Sequence, residues 1–231
     1  MRDLDREETY LVDRQGLALE LRDLVGSGPV PQEAYPAPHA ALAASAAALA
    51  YGLSLEKVLQ GLATFRGVPG RMEVVQKKPF RVVIDFAHTG KSLEEALKTL
   101  RATTRGRLLL VVGAAGERDP RRREDIGRVA ARLADKTFFT EEDHRTEDLQ
   151  AILEALAKAA GEEGGLYEII PDRKEAIFRA LSEAREGDTV LLAGKGHERT
   201  LERGTLALPW DEKAVALEGL TALGLGGGEH P

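Results

Sequence analysis

The stretch RLLLVVGAAGERDPRRREDIGRVAARLADKTFFT, residues 107–140, decides the fold class. It begins with a short run that is almost wholly apolar, continues through a turn into a segment with helical spacing of apolar residues, and ends in a second apolar run. Short strands without polar alternation are typical of a parallel sheet that helices cover on both faces. The stretch therefore predicts a strand–helix–strand unit of a doubly wound α/β fold with a mostly parallel sheet.

The same alternation extends over most of the chain. After Arg71, further apolar strands are predicted at 80–87, 166–170 and 189–194, with helices between them and a hairpin and a helix after them. Before Arg71, residues 9–24 read as a hairpin, and two helices follow it. We therefore expect two domains: residues 1–69, a small hairpin-plus-helices unit, and residues 70–231, the α/β unit.

Composition excludes several classes of function. The 231 residues are 43% apolar, which is enough for a real core, and the net charge of −6 argues against a nucleic-acid or anionic-membrane partner. Without cysteine, the chain has no disulfide, no thiol chemistry and no cysteine-bound metal. Its charged start does not resemble a signal peptide, and the alanine-rich run at 40–50 is shorter than the ~20 residues that span a bilayer. We expect a cytoplasmic protein.

Charged residues follow four of the predicted strands. In a doubly wound fold, ligands bind outside the carboxyl ends of the strands, so these loops are the candidate site. They carry both signs of charge, which suits a zwitterionic ligand or a phosphate. Their charged and glycine residues are Asp85, His88, Gly113, Gly116, Arg118, Asp119, Glu141, Glu142, Asp143, His144, Arg145, Gly194, Lys195, His197 and Glu198.

Two stretches of the sequence resemble phosphate-binding motifs but lack some of the residues that these motifs require. LLAGKGHERT, residues 191–200, contains a Gly-Lys pair, but Gly196 stands where a Walker loop needs serine or threonine, and Val190 stands where it needs its first glycine. VVGAAGERD, residues 111–119, follows a strand as a dinucleotide loop would, but Ala115 and Arg118 replace two of the three glycines. A P-loop is excluded, and an NAD-dependent oxidoreductase is only an outside alternative.

Several charged motifs also have purely structural explanations. Asp85 and His88 could meet a ribose and a phosphate, or could cap the helix that follows them. The arginines at 121–123 are expected to form a solvated helix face, with an anion contact as the alternative. The acids at 141–148 could recognise ammonium groups, with Arg145 on a carboxylate, or could stabilise a helix N-terminus, for which two acids suffice. No spacing typical of a metal site is present, so none is expected.

Five motifs, in order and spacing, resemble the Mur ligase family. They are FRGVPGRMEVV (65–75), IDFAHTGKSLEEAL (84–97), VVGAAGERD (111–119), TEEDHRTED (140–148) and LLAGKGHE (191–198). The likeness is greatest to the branch that adds the third amino acid to UDP-N-acetylmuramoyl-dipeptide. Of the family's three domains, the chain resembles the end of the central ATP-binding domain, without its P-loop, and the whole C-terminal domain.

The resemblance implies a peptide ligase of peptidoglycan precursor synthesis that uses ATP and magnesium. ATP turns a substrate carboxylate into an acyl phosphate, which the amine of the incoming amino acid attacks. Nucleotide contacts are implied for Arg71, Asp85 and His88, and no catalytic residue is implied in this chain. The implied amino-acid-binding residues are Arg118, Asp143, Arg145, Gly194, Lys195 and Glu198. The implied substrates are diaminopimelate or lysine and UDP-N-acetylmuramoyl-dipeptide.

Departures from the family pattern limit these implications. Members that select diaminopimelate usually read D-N-P-R where this chain has EDHR, residues 142–145, so the choice of amino acid stays open. The asparagine pair that usually meets adenine is missing from AYPAPHAAL, residues 34–42. We therefore expect the chain alone to be inactive and to bind no nucleotide tightly. It would need a P-loop domain, for which a separate chain is one source; the alternative is a non-catalytic amino-acid or nucleotide-binding module derived from a Mur ligase.

Overall fold

The computed structural model describes residues 10–12, 18–20 and 38–225. The chain forms two compact units, residues 1–68 and 69–231. What the two units correspond to in a complete ligase stays a prediction. In the part of the chain that the structure describes, no helix is long and apolar enough to cross a membrane.

The described residues of the first unit form two short paired strands and two helices. Strands β1 (Tyr10–Val12) and β2 (Ala18–Glu20) pair antiparallel, as their alternating sequence predicts. Helix α1 covers Pro38–Ala50 and helix α2 covers Leu55–Thr64. The side chain of Ser54 caps α2 by accepting a hydrogen bond from the amide of Lys57. These are the two helices that the sequence predicts after the hairpin.

The second unit alternates strands and helices along the chain. Its elements are β3 (Glu73–Gln76), β4 (Arg81–Asp85), α3 (Gly90–Arg101), β5 (Leu108–Val112), α4 (Arg121–Leu133), β6 (Lys136–Phe139), α5 (Leu149–Glu162), β7 (Tyr167–Ile169), α6 (Arg173–Glu183), β8 (Thr189–Ala193), β9 (Thr200–Arg203), β10 (Leu206–Pro209) and α7 (Glu212–Ala222).

The central sheet has six strands in the order β3-β4-β8-β5-β6-β7. All neighbours in it pair parallel except β3, which pairs antiparallel with β4. This confirms the predicted doubly wound, mostly parallel α/β fold. Strand β3 was not predicted, because only Val74 and Val75 are apolar in this short edge strand and a turn-rich segment precedes it.

Helices cover both faces of the sheet, and strand β5 shows how. Its residues Leu108, Leu110 and Val112 pack in one core with α3, α4 and α5. Leu109 and Val111 point to the other face and pack with α6 and α7. Successive side chains of a strand alternate between faces, so an all-apolar strand is the sequence pattern of a sheet with two cores. This arrangement leaves the carboxyl ends of the parallel strands as the edge available to a ligand.

Two structural explanations offered by the sequence are wrong. Asp85 and His88 do not cap α3: Thr89 does, since its side chain accepts a hydrogen bond from the Ser92 amide while Ser92 Oγ accepts one from the Thr89 amide. The arginines at the start of α4 are not all solvated either. Arg123 is buried and its Nη2 lies 2.5 Å from Glu147 Oε2 on the loop after β6, a long-range pair that the local charge pattern could not reveal.

Candidate functional site

Four loops meet at the carboxyl end of the sheet, and we call them the rim: residues 85–89, 113–119, 140–148 and 194–198. The strands that precede them, β4, β8, β5 and β6, are neighbours in the sheet. The loops also bond to one another directly, because the Gly194 amide donates to Asp85 O at 3.2 Å and the Gly116 amide to Asp143 O at 2.8 Å. The structure thus places the residues predicted at the strand ends side by side.

Glycines allow the rim loops to approach this closely. A Cβ atom on Gly116 would lie 2.0 Å from His144 O. A Cβ atom on Gly194 would lie 2.4 Å from Glu142 Oε2, and Gly194 has a φ of +104°, which other residues rarely adopt. Gly194 therefore lets the Glu142 carboxylate pack against the backbone of the loop after β8, where a side chain would collide with it.

The three residues expected at a nucleotide lie around Phe86. The guanidinium of exposed Arg71 stacks over the Phe86 ring at 4.4 Å, and His88 Nδ1 lies 2.8 Å from Phe86 O. Asp85 accepts hydrogen bonds from the amides of Met72 and Ala87, each at 2.8 Å. Burial raises the pKa of Asp85 above its ordinary value, although these amide bonds and the charge of Arg71 oppose the rise.

Lys195 lies beneath the rim rather than on it. Its side chain is fully buried, and its ammonium contacts both carboxylate oxygens of Asp143 at 2.8 and 3.0 Å and Glu198 Oε2 at 2.8 Å. Asp143 also accepts a hydrogen bond from the Glu202 amide at 2.9 Å. Lys195 therefore uses its three N–H donors within the protein, and it ties the loop after β6 to the loop after β8.

Arg145 is held in a defined position by its neighbours. It has a φ of +54°, and its backbone bonds to the β9–β10 hairpin through Glu202 O and the Gly204 amide. Its Nε donates to Glu202 Oε2 at 2.7 Å and its Nη1 to Gly116 O at 2.6 Å. The hairpin thus fixes this arginine from outside the rim, a role for β9 and β10 that the sequence did not suggest.

Glu142 is not among the residues that the resemblance implies at the ligand. It is 5% exposed, and its Oε2 is buried with no hydrogen-bond partner among the described residues. Burial raises the pKa of Glu142 to about 7; the charges of Arg173 and Lys195 lower it, and those of Asp143 and Glu198 raise it. A carboxylate oxygen that is buried and unsatisfied costs free energy in the empty protein, which a cationic partner would recover. The signal in the sequence was the excess of acids over what a helix start needs.

Arg118 is the exposed member of the set. Its side chain makes no hydrogen bond or ion pair to the described residues, although it sits in the loop between β5 and α4. The structure therefore gathers Asp143, Lys195 and Glu198 into one ion-paired group, with Arg145 bonded to the adjacent loop. Within residues 38–225 and the two short strands, no three histidine or acidic side chains are grouped as a metal site.

The model of the family described as Mur ligase, glutamate ligase domain matches residues 70–196. The chain belongs to the Mur ligase family. The matched range contains the rim loops up to Gly196 and all the predicted ligand-binding residues except Glu198. The resemblance seen in the five motifs is thereby confirmed.

Named relatives and solved structures resemble this chain at different levels of sequence identity. The chain is 55% identical over 181 residues to a UDP-N-acetylmuramyl-tripeptide synthetase of Deinococcus radiodurans, covering 76% of this chain and 37% of the relative. It superposes on a structure of UDP-N-acetylmuramoyl-L-alanyl-D-glutamate–2,6-diaminopimelate ligase with a TM-score of 0.67 at 28% identity, covering 94% of this chain and 43% of that one. It also superposes on E. coli FolC in complex with ADP, with a TM-score of 0.57 at 25% identity, covering 81% of this chain and 43% of that one. The chain thus spans well under half the length of these proteins.

Proposed function

We propose that this chain is the amino-acid-binding and closing part of an ATP-dependent peptide ligase of peptidoglycan precursor synthesis, working in the cytoplasm. The observation that carries the proposal is Glu142, a buried carboxylate whose Oε2 packs against Gly194 and has no hydrogen-bond partner among the described residues. An ammonium group placed there would satisfy that oxygen and favour its ionised form. The site is therefore suited to the ammonium of an amino acid.

The charges around Glu142 indicate a diamino acid. Glu198 is partly exposed next to it, and a second ammonium could share this carboxylate with Lys195. Arg118 is exposed and makes no bond to the residues that the structure describes, so its guanidinium is available for a ligand carboxylate. We propose diaminopimelate or lysine as the incoming amino acid; the names of the tripeptide synthetase and the diaminopimelate ligase among the similar proteins support this class.

The nucleotide side of the proposal rests on the group around Phe86. Exposed Arg71, stacked on Phe86, and His88 beside it are suited to a phosphate, and buried Asp85 can accept a hydrogen bond from a hydroxyl. These residues fit part of a nucleotide, while the sequence contains no Walker loop to hold its phosphates. When bound, ATP supplies the phosphoryl group that activates the substrate carboxylate. This chain's residues hold the amino acid against that carboxylate and exclude water from it.

The remaining components are part of the same proposal. Magnesium and UDP-N-acetylmuramoyl-dipeptide would bind mainly to a P-loop domain, on a longer form of this chain or on a separate chain. The chain of 231 residues alone is then expected to release no ADP from ATP. Its own contribution would be measurable as binding of the amino acid.

Calorimetric titration with meso-diaminopimelate and L-lysine tests the proposal. We expect binding by the unmodified chain, and a loss of about 1 to 3 kcal/mol of binding free energy for Arg118→Ala, as for the loss of a hydrogen bond to a charged group. The matched control is Arg121→Ala, since Arg121 is also exposed and lies three residues away. Equal affinities for the two variants would remove Arg118 from the site, and no binding of either amino acid would contradict the proposal.

A further inference from the structure

Arg173 is a fully buried arginine behind the rim. It is the first residue of α6, and its side chain extends to the carboxyl ends of β6 and β8. Its Nη1 donates to Glu141 O at 3.2 Å, and its Nη2 donates to Ala193 O at 2.8 Å. These carbonyls belong to the residues immediately before Glu142 and Gly194. One guanidinium therefore joins the loop after β6 to the end of β8, next to Glu142 and Gly194.

The guanidinium is itself fixed from the far side by α7. Glu212, also fully buried, accepts hydrogen bonds from Arg173 Nε at 3.0 Å and from Nη2 at 2.6 Å. Trp210, the single tryptophan of the chain, donates from Nε1 to Glu212 Oε2 at 2.6 Å. Burial alone would lower the pKa of Arg173, but the charges of Glu212, Glu142 and Glu141 raise it, so the group stays charged.

We propose that Arg173 is a positioning residue of the amino-acid site, which sets Glu142 and Gly194 relative to each other, with Glu212 and Trp210 holding it in place. The ligand in this inference rests on the proposed function. The positioning role itself rests on the two carbonyl bonds and extends the site to the start of α7.

Two physical arguments separate this role from general stabilisation. A buried ion pair gives little net stability compared with apolar side chains of similar size, so stability alone does not account for one at this place. Arginine also presents a rigid planar fork, which reaches two carbonyls in fixed directions, whereas lysine offers one point charge. In the structure each terminal nitrogen of the fork reaches one carbonyl, Nη1 reaching Glu141 O and Nη2 reaching Ala193 O.

The first test compares Arg173→Lys with the unmodified chain. Lysine keeps the charge beside Glu212 but cannot bridge both carbonyls. We expect Arg173→Lys to remain folded, to shift the amide NMR signals of Glu142 and Gly194, and to bind the diamino acid about tenfold more weakly, as for one misplaced charged hydrogen bond. Ligand binding to the unmodified chain should also change the fluorescence of Trp210.

The matched control is the pair Lys174 and Glu218, which joins the same two helices. This pair is 2.7 Å apart and about half exposed on both sides. The double variant Lys174→Met/Glu218→Gln removes a contact between α6 and α7 without touching the rim. We expect it to leave the Glu142 and Gly194 signals and the affinity unchanged.

A second variant keeps the test decisive if Arg173→Lys does not fold. Arg173→Met/Glu212→Gln removes both buried charges and retains an acceptor for Trp210, and it should show the same displaced signals. Unchanged signals of Glu142 and Gly194 in a folded variant would overturn the inference, and so would unfolding of both variants, which would make Arg173 a stability residue. If the unmodified chain binds no diamino acid, the proposed function fails, and the amide signals alone decide the positioning role.

Discussion

At the scale of single residues, the raised pKa of Glu142 should make the stability of the protein depend on pH. Its pKa of about 7 lies above the ordinary value of 4.5, so the folded chain holds this proton more tightly than the unfolded chain between those pH values. Ionised Glu142 therefore lowers stability progressively as the pH rises from 4.5 to 7, by about 3 kcal/mol in total. Glu142→Gln cannot ionise, so its free energy of unfolding should exceed that of the unmodified chain at pH 8 and match it at pH 4, measured by urea denaturation.

Glu141 provides the matched control for this prediction. It is equally buried, but both its oxygens accept hydrogen bonds from Arg203, at 2.5 and 2.7 Å. Glu141→Gln should therefore lower stability at pH 8, whereas Glu142→Gln should raise it and at the same time weaken diamino-acid binding. A loss of stability at pH 8 in both variants would mean that Glu142 has a partner in the folded protein.

Removing the charge of Lys195 should lower stability, whereas removing the charge of Glu142 should raise it at pH 8. Lys195→Met leaves Asp143 buried without its cation, so we expect a loss of about 3 to 5 kcal/mol in the free energy of unfolding. The double variant Lys195→Met/Asp143→Asn should recover part of this loss because no buried charge is left unpaired. The exposed pair of Lys98 and Glu94, 2.7 Å apart, is the reference: Lys98→Met should leave the free energy of unfolding nearly unchanged, because water and salt screen an exposed pair. Equal losses at the two lysines would show that Lys195 is solvated in solution.

At the scale of elements, the rim depends on backbone packed against backbone. Gly116→Ala would place a methyl group 2.0 Å from His144 O and 2.8 Å from His144 C, so one loop must move. We expect the free energy of unfolding to fall by about 1 to 3 kcal/mol, as for overpacking in a core, measured by thermal denaturation. Gly161→Ala in α5 meets only the Tyr167 ring at 3.7 Å and should be neutral or stabilising by up to about 1 kcal/mol. A neutral Gly116→Ala would show that the rim loops are further apart than described.

Periodicity predicted most elements of the second unit because the inner strands β4, β5, β6 and β8 are buried on both faces and helices such as α3 and α4 bury one apolar side. It failed where an element depends on its neighbours. Strand β3 is an edge strand that gains its structure from pairing with β4. The local charge pattern predicted that Arg123 lies on the surface. In the structure Arg123 is buried and donates a hydrogen bond to Glu147, 24 positions away.

The candidate site was predictable in its location and only partly in its internal contacts. Strand ends placed Asp85, Asp143 and Gly194 on one edge of the sheet, as the structure has them. Which acid has an unsatisfied oxygen could not be read from the sequence, since Lys195 bonds to Asp143 and Glu142 Oε2 has no partner among the described residues. The bridge by Arg173 depends on contacts with residues 20 to 39 positions away, which no local pattern records.

At the scale of the whole molecule, the proposed function makes this chain one part of a ligase. In that proposal the rim binds an amino acid and the group around Phe86 faces a nucleotide, while the sequence contains no Walker loop to hold ATP phosphates. We expect no ATP turnover by the chain alone, and turnover dependent on the amino acid when a Mur ligase P-loop domain is added, measured as ADP release. Glu142→Gln should reduce that turnover chiefly by raising the KM for the amino acid. Turnover by the chain alone would contradict this division of roles.

Mapping of ligand contacts by NMR tests the central claim most directly. The ¹⁵N-labelled chain would be titrated separately with meso-diaminopimelate, L-lysine and ADP while its amide signals are followed. We expect a diamino acid to shift the amide signals of Glu142, Arg145, Gly194 and Glu198, and any shifts caused by ADP to centre on Asp85 and His88. Diamino-acid shifts that centre on Asp85 and His88, or no shifts at all, would contradict the proposed amino-acid site.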